Sequence, residues 1–376
     1  MVGSLFAVDT SLGVLSTKPE QLMRSMKLFI DSERRRGIEH ASLGTANLLY
    51  LTLFFEDLVA QRDANEIVER ILAVEEPEAH LHTHVQRKLF RHLLRQGSAL
   101  VVTTHSPHIA SVTPLTSLLL LKKTTQGDTK VHSATSAKLE PAEVSDIERY
   151  LDVTRAEMLF ARMVILVEGT AELYLVPAFA ESAGIDLDAS GITVCSVQGT
   201  NFGPYVRLLG PAGLNIPFVV VTDGDPDDEG IPGGLQRVLE IIKHSDEEPA
   251  RELEEALEKN RLDEARSICK SAGYMVGSRT LEVDLIETVA EAMSDTYAEL
   301  VESTTKVDRF RKEINLAATD DKQRKKILSR IEKVGKGRYA QRLSHHINNA
   351  EPPPYLADLF SHIKGLDLGG ISTVEK

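Results

Sequence analysis

Two short runs of the chain end in acids in a way that chemistry could use. Met163-Val-Ile-Leu-Val-Glu168-Gly-Thr-Ala-Glu172 is answered, 55 positions on from Glu168, by Asp223 in Pro217-Phe-Val-Val-Val-Thr-Asp223-Gly-Asp225. Each is an apolar, β-branched stretch that stops at carboxylates, the pattern of a buried parallel strand delivering acidic side chains to the C-terminal edge of a sheet. Glu168 falls at the strand exit, Gly169 lets the backbone turn, and Glu172 sits four residues on, one turn into the next helix and able to face the same way. Asp223 and Asp225 flank a glycine, so a period of two sends both to one side. Carboxylates gathered like this repel one another unless a cation sits among them, and oxygen donors suit Mg²⁺, Mn²⁺ or Ca²⁺. Either half alone also reads as a strand end capped by solvated acids; the two in this order point to a metal site.

This pairing resembles the Toprim domain shared by type II topoisomerases, bacterial primases and the nucleases of the overcoming-lysogenization-defect (OLD) family. In that pattern a Glu follows the first strand and an Asp-x-Asp a later one, places that Glu168, Asp223 and Asp225 fill here. The resemblance implies metal-dependent phosphoryl chemistry on nucleic acid, with Glu168 and Asp223 catalytic and Glu168, Glu172, Asp223 and Asp225 holding metal.

Two later stretches extend the site. Ser278-Arg-Thr-Leu-Glu282-Val-Asp284-Leu reads as an alternating strand, with Glu282 and Asp284 on one face and Leu281, Val283 and Leu285 on the other. In OLD-type nucleases a Leu-Glu-x-Asp-Leu segment supplies a further acid to the metal site, so the resemblance adds Glu282, with Asp284 beside it, to the ligands. From the residues alone both acids could equally be the wet face of an edge strand. Val334-Gly-Lys336-Gly-Arg338-Tyr-Ala-Gln-Arg342 begins with a glycine-flanked lysine and turns helical. The glycines let that lysine approach a ligand, where its charge could offset what builds up on a scissile phosphate. A Lys-Gly segment in this place is catalytic in OLD-type enzymes, which implies a catalytic Lys336, with Lys336, Arg338 and Arg342 contacting DNA; without that context Lys336 reads as a surface lysine.

Upstream, Ile71-Leu-Ala-Val-Glu75-Glu76-Pro-Glu-Ala-His80 is another strand running into acids, and Ala99-Leu-Val-Val-Thr-Thr-His105-Ser-Pro is a strand ending in a histidine. Together they resemble the Walker B and switch-histidine elements of ABC-type ATPases, which implies Glu75 in the Mg²⁺-supporting place, Glu76 in the water-activating place and His105 sensing the γ-phosphate. Ala41-Ser42-Leu-Gly44-Thr-Ala-Asn47, opening a helical run, resembles a degenerate ABC signature, in which a serine at a helix N-terminus meets a nucleotide bound by another subunit. A plain serine cap gives the same letters. Nowhere in the chain is there a G-x-x-x-x-G-K-[ST] loop. Without the amides and lysine that cradle phosphates, the chain is not expected to bind ATP in the usual way, and ATP belongs only to a complete protein. Met1 to Thr17 reads as an odd beginning for an ATPase domain, so the native protein is expected to extend further N-terminally or to be split.

At 376 residues there is room for two domains, each with its own core, and the 42% hydrophobic and 26% charged fractions are those of a globular protein. No run approaches the ~18 apolar residues of a membrane span, and the start lacks the charged-then-apolar order of a signal peptide, so a cytoplasmic chain without membrane contact is expected. Cys195 and Cys269 show no metal-ligand spacing; Cys195 lies in the apolar run Ile192 to Val197 and reads as a buried small hydrophobe. The net charge of −13 argues against bulk affinity for nucleic acid, but Lys306 to Arg342 holds 13 Lys+Arg against 5 Asp+Glu. Opposite an acidic metal site such a stretch can hold a phosphate backbone, although on charge alone a solvated helix face is the simpler reading.

An ABC-like half followed directly by a Toprim domain is the domain order of the OLD family. The chain is therefore expected to be α/β. Residues 1–140 would form a partial ABC-type ATPase domain, 141–162 a helical linker, and 163–345 a Toprim domain with a Rossmann-like, mainly parallel sheet, flanking helices and a helical insertion at 245–272. Residues 346–376 would form a C-terminal tail, with one helix from Tyr355 to Ile363 after the break at Glu351-Pro-Pro-Pro354. The expected function is that of a metal-dependent DNA endonuclease using two divalent cations, Mg²⁺ or Mn²⁺ with Ca²⁺ a further candidate, one held by Glu168, Asp223 and Asp225 and the other by Glu172 and Glu282. The resemblance further implies DNA as partner, a homodimer through the ATPase part, a helicase encoded nearby and a role in phage defence. Two rivals stay open. One is a topoisomerase-like transesterase, for which Tyr174 and Tyr339 lie nearest the motifs; the other is a non-catalytic DNA-binding ATPase of chromosome maintenance whose acids fold around a structural ion.

Overall fold

The structure, a computed structural model, describes residues 11–14, 26–30, 36–63, 71–95, 99–124, 126–226, 232–243, 247–347 and 349–366. Most of the stretch from Met1 to Thr17, positions 245–246 of the expected insertion and positions 367–376 of the expected tail lie outside the described residues. The chain divides into two compact units, Met1–Pro114 and Leu115–Lys376, so the boundary falls before the linker expected at 141–162.

In the first unit, β1 (Ser11–Val14) pairs antiparallel with β2 (Met26–Phe29). Helix α1 (Leu43–Asp63) follows, then β3 (Ile71–Glu75), α2 (Thr83–Arg95) and β4 (Ala99–Thr103), with β3 and β4 parallel and Glu75 level with Thr103. The amphipathic α2 turns Val85, Leu89, Phe90 and Leu93 inward, where they meet Leu48, Leu51 and Phe55 of α1. Within α1, Leu43–Gln61 is long and apolar enough to cross a membrane by length and composition, which goes beyond the sequence-based expectation. Glu56 and Asp57 interrupt that apolar surface, and its buried residues belong to this unit's core.

The second unit opens with the antiparallel pair β5 (Leu119–Lys123) and β6 (Thr129–Ser133) and with α3 (Pro141–Tyr150), whose Pro141 sits in the first turn, where a missing N–H costs nothing. A helical turn at Val153–Ala156 and a 3₁₀ turn at Glu157–Leu159 lead into β7 (Met163–Val167). Then come α4 (Thr170–Ser182), β8 (Ile192–Ser196), α5 (Gly203–Leu209), β9 (Phe218–Thr222), α6 (Gly233–Ile242), α7 (Glu247–Glu258), α8 (Leu262–Ser271) and β10 (Tyr274–Val276). The remainder is helical: α9 (Leu281–Asp284), α10 (Ile286–Leu300), α11 (Thr304–Ala317), α12 (Asp321–Val334), α13 (Lys336–Leu343) and α14 (Pro354–Gly365).

Four of these strands form one parallel sheet in the order β10-β9-β7-β8. Every residue of β7 is fully buried, which is why its sequence is apolar without alternation: a central parallel strand has helices on both faces. Each of its larger side chains contributes roughly 1.5–3 kcal/mol by leaving water. Cys195 is buried in β8 and its thiol is pushed up to about 12 by burial, an inert small hydrophobe as expected. From β7 the chain moves to β8 on one side and then to β9 on the other. That reversal opens a crevice beyond the C-terminal ends of β7 and β9, where α/β sheets place ligands.

Candidate metal centre

Leu166 of β7 is level with Val220 of β9, so Glu168 and Thr222, each two residues further on, stand side by side at the edge of the sheet. Glu168 Oε1 accepts hydrogen bonds from Thr222 Oγ1, from the Asp223 amide at 2.9 Å and from Arg237 Nη1 at 2.7 Å. Asp223 and Asp225 follow β9 in a loop, and one oxygen from each of Glu168, Asp223 and Asp225 lies within 4.8 Å of the others. Gly224 makes this loop possible. Its amide binds the Arg279 carbonyl at 2.8 Å, and a Cβ there would lie 2.4 Å from the Gly277 carbonyl oxygen and 2.5 Å from that of Ser278. Asp225 takes a left-handed backbone, φ +42°, a conformation that aspartate tolerates and most residues do not.

Around this triad lie two buried acids and a lysine. Glu172, in the first turn of α4, is 8% exposed, and its carboxyl is pushed up to about 7 by burial, with Glu282 and Glu168 adding to the rise. Glu282 is 5% exposed and accepts a hydrogen bond from Lys336 Nζ at 3.2 Å. Asp223 rises furthest, to about 9, first through burial and then through the charges of Glu168, Glu172, Glu282 and Asp225. Burial works against the charge on Lys336, but Glu282 and Asp223 outweigh it and raise the ammonium above its usual range. Five acids and one lysine thus share one electrostatic neighbourhood.

Glu168, Glu172, Asp223 and Asp225 all fall within residues 159–225, which match the family described as overcoming lysogenization defect protein-like, TOPRIM domain; residues 10–110 match the AAA ATPase domain family. The chain is 28% identical over 251 residues to endonuclease GajA of Bacillus cereus (strain VD045), covering 60% of this chain and 42% of that one. It is 30% identical over 248 residues to the OLD nuclease of Thermus scotoductus (strain ATCC 700910 / SA-01), covering 63% and 43%. The chain belongs to the OLD family. It spans less than half the length of these two curated relatives. Among solved structures, the C-terminal region of the Burkholderia pseudomallei OLD protein is similar, with 36% identity and a TM-score of 0.47 over 55% of this chain and 98% of that one.

Other expected residues of this OLD-family chain fall differently. Ser278–Leu285 is not an alternating strand: Ser278 to Thr280 form a loop and Leu281–Asp284 a single helical turn. Leu281, Glu282 and Val283 are all buried there, and Asp284 faces back into the loop, where its carboxylate accepts from the amides of Ser278 at 2.8 Å and Arg279 at 3.1 Å. Asp284 therefore braces the loop that cradles Gly224, while Glu282 joins the acid site. Arg338 is exposed in the first turn of α13, and Arg342 pairs with Glu299 at 3.4 Å. In the first unit, Ser42 caps α1, accepting from the Thr45 amide at 3.2 Å, and a Cβ on Gly44 would lie 2.2 Å from the His80 carbonyl oxygen. Beyond the β3–β4 ladder, the side chain of Glu78 links the two following loops, accepting from Thr104 Oγ1 at 2.7 Å and from the His105 amide at 2.9 Å. Glu75 and Glu76 are exposed, the latter with φ +42°. Sequence reasoning missed Glu78, and it missed Arg237, whose Nη2 binds Asp225 Oδ2 at 2.8 Å. Only the position of Glu78 beside the doubled acid could have signalled the first; nothing in the letters around Arg237 signals the second.

Proposed function

We propose that this chain hydrolyses phosphodiester bonds of DNA in a reaction that depends on divalent cations, at the edge formed by Glu168, Asp223, Asp225, Glu172, Glu282 and Lys336. The observation that carries the reading is the convergence of Glu168, Asp223 and Asp225 within 4.8 Å with a lysine bound to a neighbouring acid. The residues fit such an ion: every donor is a carboxylate oxygen, and Asp223 is held far above the usual carboxylate range first by burial and then by the charges of the acids around it. Glu168, Asp223 and Asp225 would hold one ion, with Glu172 and Glu282 at a second. Ions bound there supply Lewis-acid stabilisation of charge at the reacting phosphate. Lys336, anchored on Glu282 yet partly exposed, presents its ammonium to the same phosphate, and Arg338 extends the cationic surface along α13. The names of the two curated relatives agree with this activity.

Transesterification through a tyrosine is disfavoured by the geometry. Tyr339 is 1% exposed and its hydroxyl donates to the Met293 carbonyl at 2.6 Å, so it cannot reach a phosphate. Tyr174 follows Glu172 by two residues on α4, which turns it away from that acid's face. The test is cleavage of supercoiled and linear DNA by the wild type and by Asp223→Asn, with Mg²⁺ or Mn²⁺ and with chelator. Product in the wild type with metal alone is expected; identical products from both proteins, or with chelator, would sink the reading.

A further inference from the structure

Arg237 lies on α6, twelve residues beyond Asp225, and its guanidinium bridges two of the three acids of the triad: Nη1 binds Glu168 Oε1 at 2.7 Å and Nη2 binds Asp225 Oδ2 at 2.8 Å. Nη1 also donates to Thr222 Oγ1. The bridge uses up particular oxygens. Glu168 Oε1 takes three donors, from Thr222, Asp223 and Arg237, which saturates its lone pairs. Asp225 Oδ2 takes Arg237, and Asp223 Oδ1 takes the Leu281 amide at 3.0 Å. Among the described residues each acid is left with one oxygen that has no protein partner: Glu168 Oε2, Asp223 Oδ2 and Asp225 Oδ1.

We propose that Arg237 is a positioning residue that fixes Glu168 and Asp225 as one-oxygen ligands and thereby sets this site for a small six-coordinate ion, Mg²⁺ or Mn²⁺, in preference to Ca²⁺. The inference rests on the metal-centre reading of the triad. Its chemistry is that of coordination number. Mg²⁺ demands near-ideal octahedral geometry and takes single oxygens from carboxylates, whereas Ca²⁺ takes six to eight and is favoured by two-oxygen carboxylate contacts. An arginine that holds the second oxygen of two ligands removes those contacts. Its planar fork suits the task, since it engages two carboxylates at once in a fixed geometry, which a lysine cannot do. Arg237 also borders a cavity of about 800 Å³ with Thr200, Asn201, Arg207 and Gln236.

The test is titration of the full chain with Mn²⁺, followed by the electron paramagnetic resonance of the free ion, and with Ca²⁺ by calorimetry, for the wild type, Arg237→Ala and Arg237→Lys. In the alanine variant Mn²⁺ affinity is expected to fall by about 10- to 100-fold, the usual effect of losing a group that orients a ligand. Ca²⁺ affinity should fall less, so that the Ca²⁺-to-Mn²⁺ preference rises. Unchanged or tighter Mn²⁺ binding would make Arg237 a competitor for the ion's place, and parallel loss of both ions would make it merely structural; either overturns the proposal. Should the alanine variant not fold, the lysine variant carries the test, because it keeps the charge but reaches one acid at a time. The same shift in preference is expected there, and wild-type selectivity would overturn the bridge. If the wild type binds no Mn²⁺ at all, the metal-centre reading falls and this inference with it.

Discussion

Lys336 Nζ stands 3.2 Å from Oε2 of Glu282, a residue 5% exposed, while the lysine side chain itself remains 40% exposed. The pair therefore runs from the interior to the surface, and the lysine is held there by α13. That helix is preceded by Gly335, whose φ of +99° turns the chain out of α12, and runs through Gly337, where a Cβ would lie 3.0 Å from Thr170 Cγ2 at the start of α4. Both glycines bring the lysine to the helix that carries Glu172.

Lys336→Ala follows from that geometry. A cation that meets charge developing on the phosphate should, when removed, lower single-turnover cleavage at saturating DNA by about 10²- to 10³-fold. Overall DNA affinity should change little, because only the reacting phosphate loses a partner. A lysine acting merely as part of the basic stretch would instead weaken binding and flatten its salt dependence by about one phosphate contact while leaving the saturated rate intact. An unchanged rate at saturation would remove Lys336 from the catalytic set.

Gly224→Ala tests whether the Asp223-Gly-Asp225 loop is held by close packing. The added methyl would meet carbonyl oxygens at 2.4 and 2.5 Å, both backbone atoms that cannot swing aside. Overpacking of this kind costs about 1–3 kcal/mol, and because the displaced loop carries Asp223 and Asp225, the stabilisation gained from added Mn²⁺ should shrink as well. Urea denaturation with and without Mn²⁺ measures both, and a variant that keeps its stability and its metal response would show that the loop is not packed in this way.

The acids of β7 and β9 were legible because buried parallel strands leave an unmistakable apolar run and the residues just beyond it are placed by the sheet. Glu282 was legible as a member of the acid cluster but misread in its backbone. Leu-Glu-Val-Asp-Leu alternates as a strand does, yet the same residues fit a single helical turn when Leu281, Glu282 and Val283 can all be buried, and which of the two forms depends on the loop that Asp284 ties down. Arg237 was illegible for a different reason. Its partners are set by where α6 lies after the Asp223–Asp225 loop, and no local pattern encodes that tertiary relation. In the first unit the side chain that links the loop after β3 to the residues after β4 is that of Glu78, while Glu76 joins the strand ends only through its amide, which donates to the Thr103 carbonyl at 2.9 Å.

Ser42 offers a test of its local role in the first unit. Its Oγ accepts the Thr45 amide, one of the otherwise unsatisfied donors at the start of α1. Ser42→Ala should cost about 1 kcal/mol, and Ser42→Asp, which can cap equally well, should restore it. Stability of the two variants in urea decides, and equal values for alanine and aspartate would show that the cap contributes nothing.

The last prediction concerns pH and metal together. Asp223 is raised from an ordinary 3.8 to about 9 and Glu172 from 4.5 to about 7, in both cases with burial as the largest cause. A carboxyl whose value is raised on folding favours the folded state while it is protonated. Between its unfolded and folded values the native chain keeps a proton that the unfolded chain has released, so stability falls as pH rises. Without metal the protein should therefore lose stability from roughly pH 4 to 9, the window these two shifts define. A divalent cation replaces those protons, so its stabilising effect should grow across the same window. Asp223→Asn keeps an oxygen to accept the Leu281 amide and carries no titrating proton. It should flatten the metal-free slope and remove most of the response to Mn²⁺. Melting temperatures for both proteins at pH 5, 7 and 9, with chelator and with Mn²⁺, give the comparison, and a metal-free wild type that gained stability toward pH 9 would show that Asp223 and Glu172 are not held protonated by their surroundings.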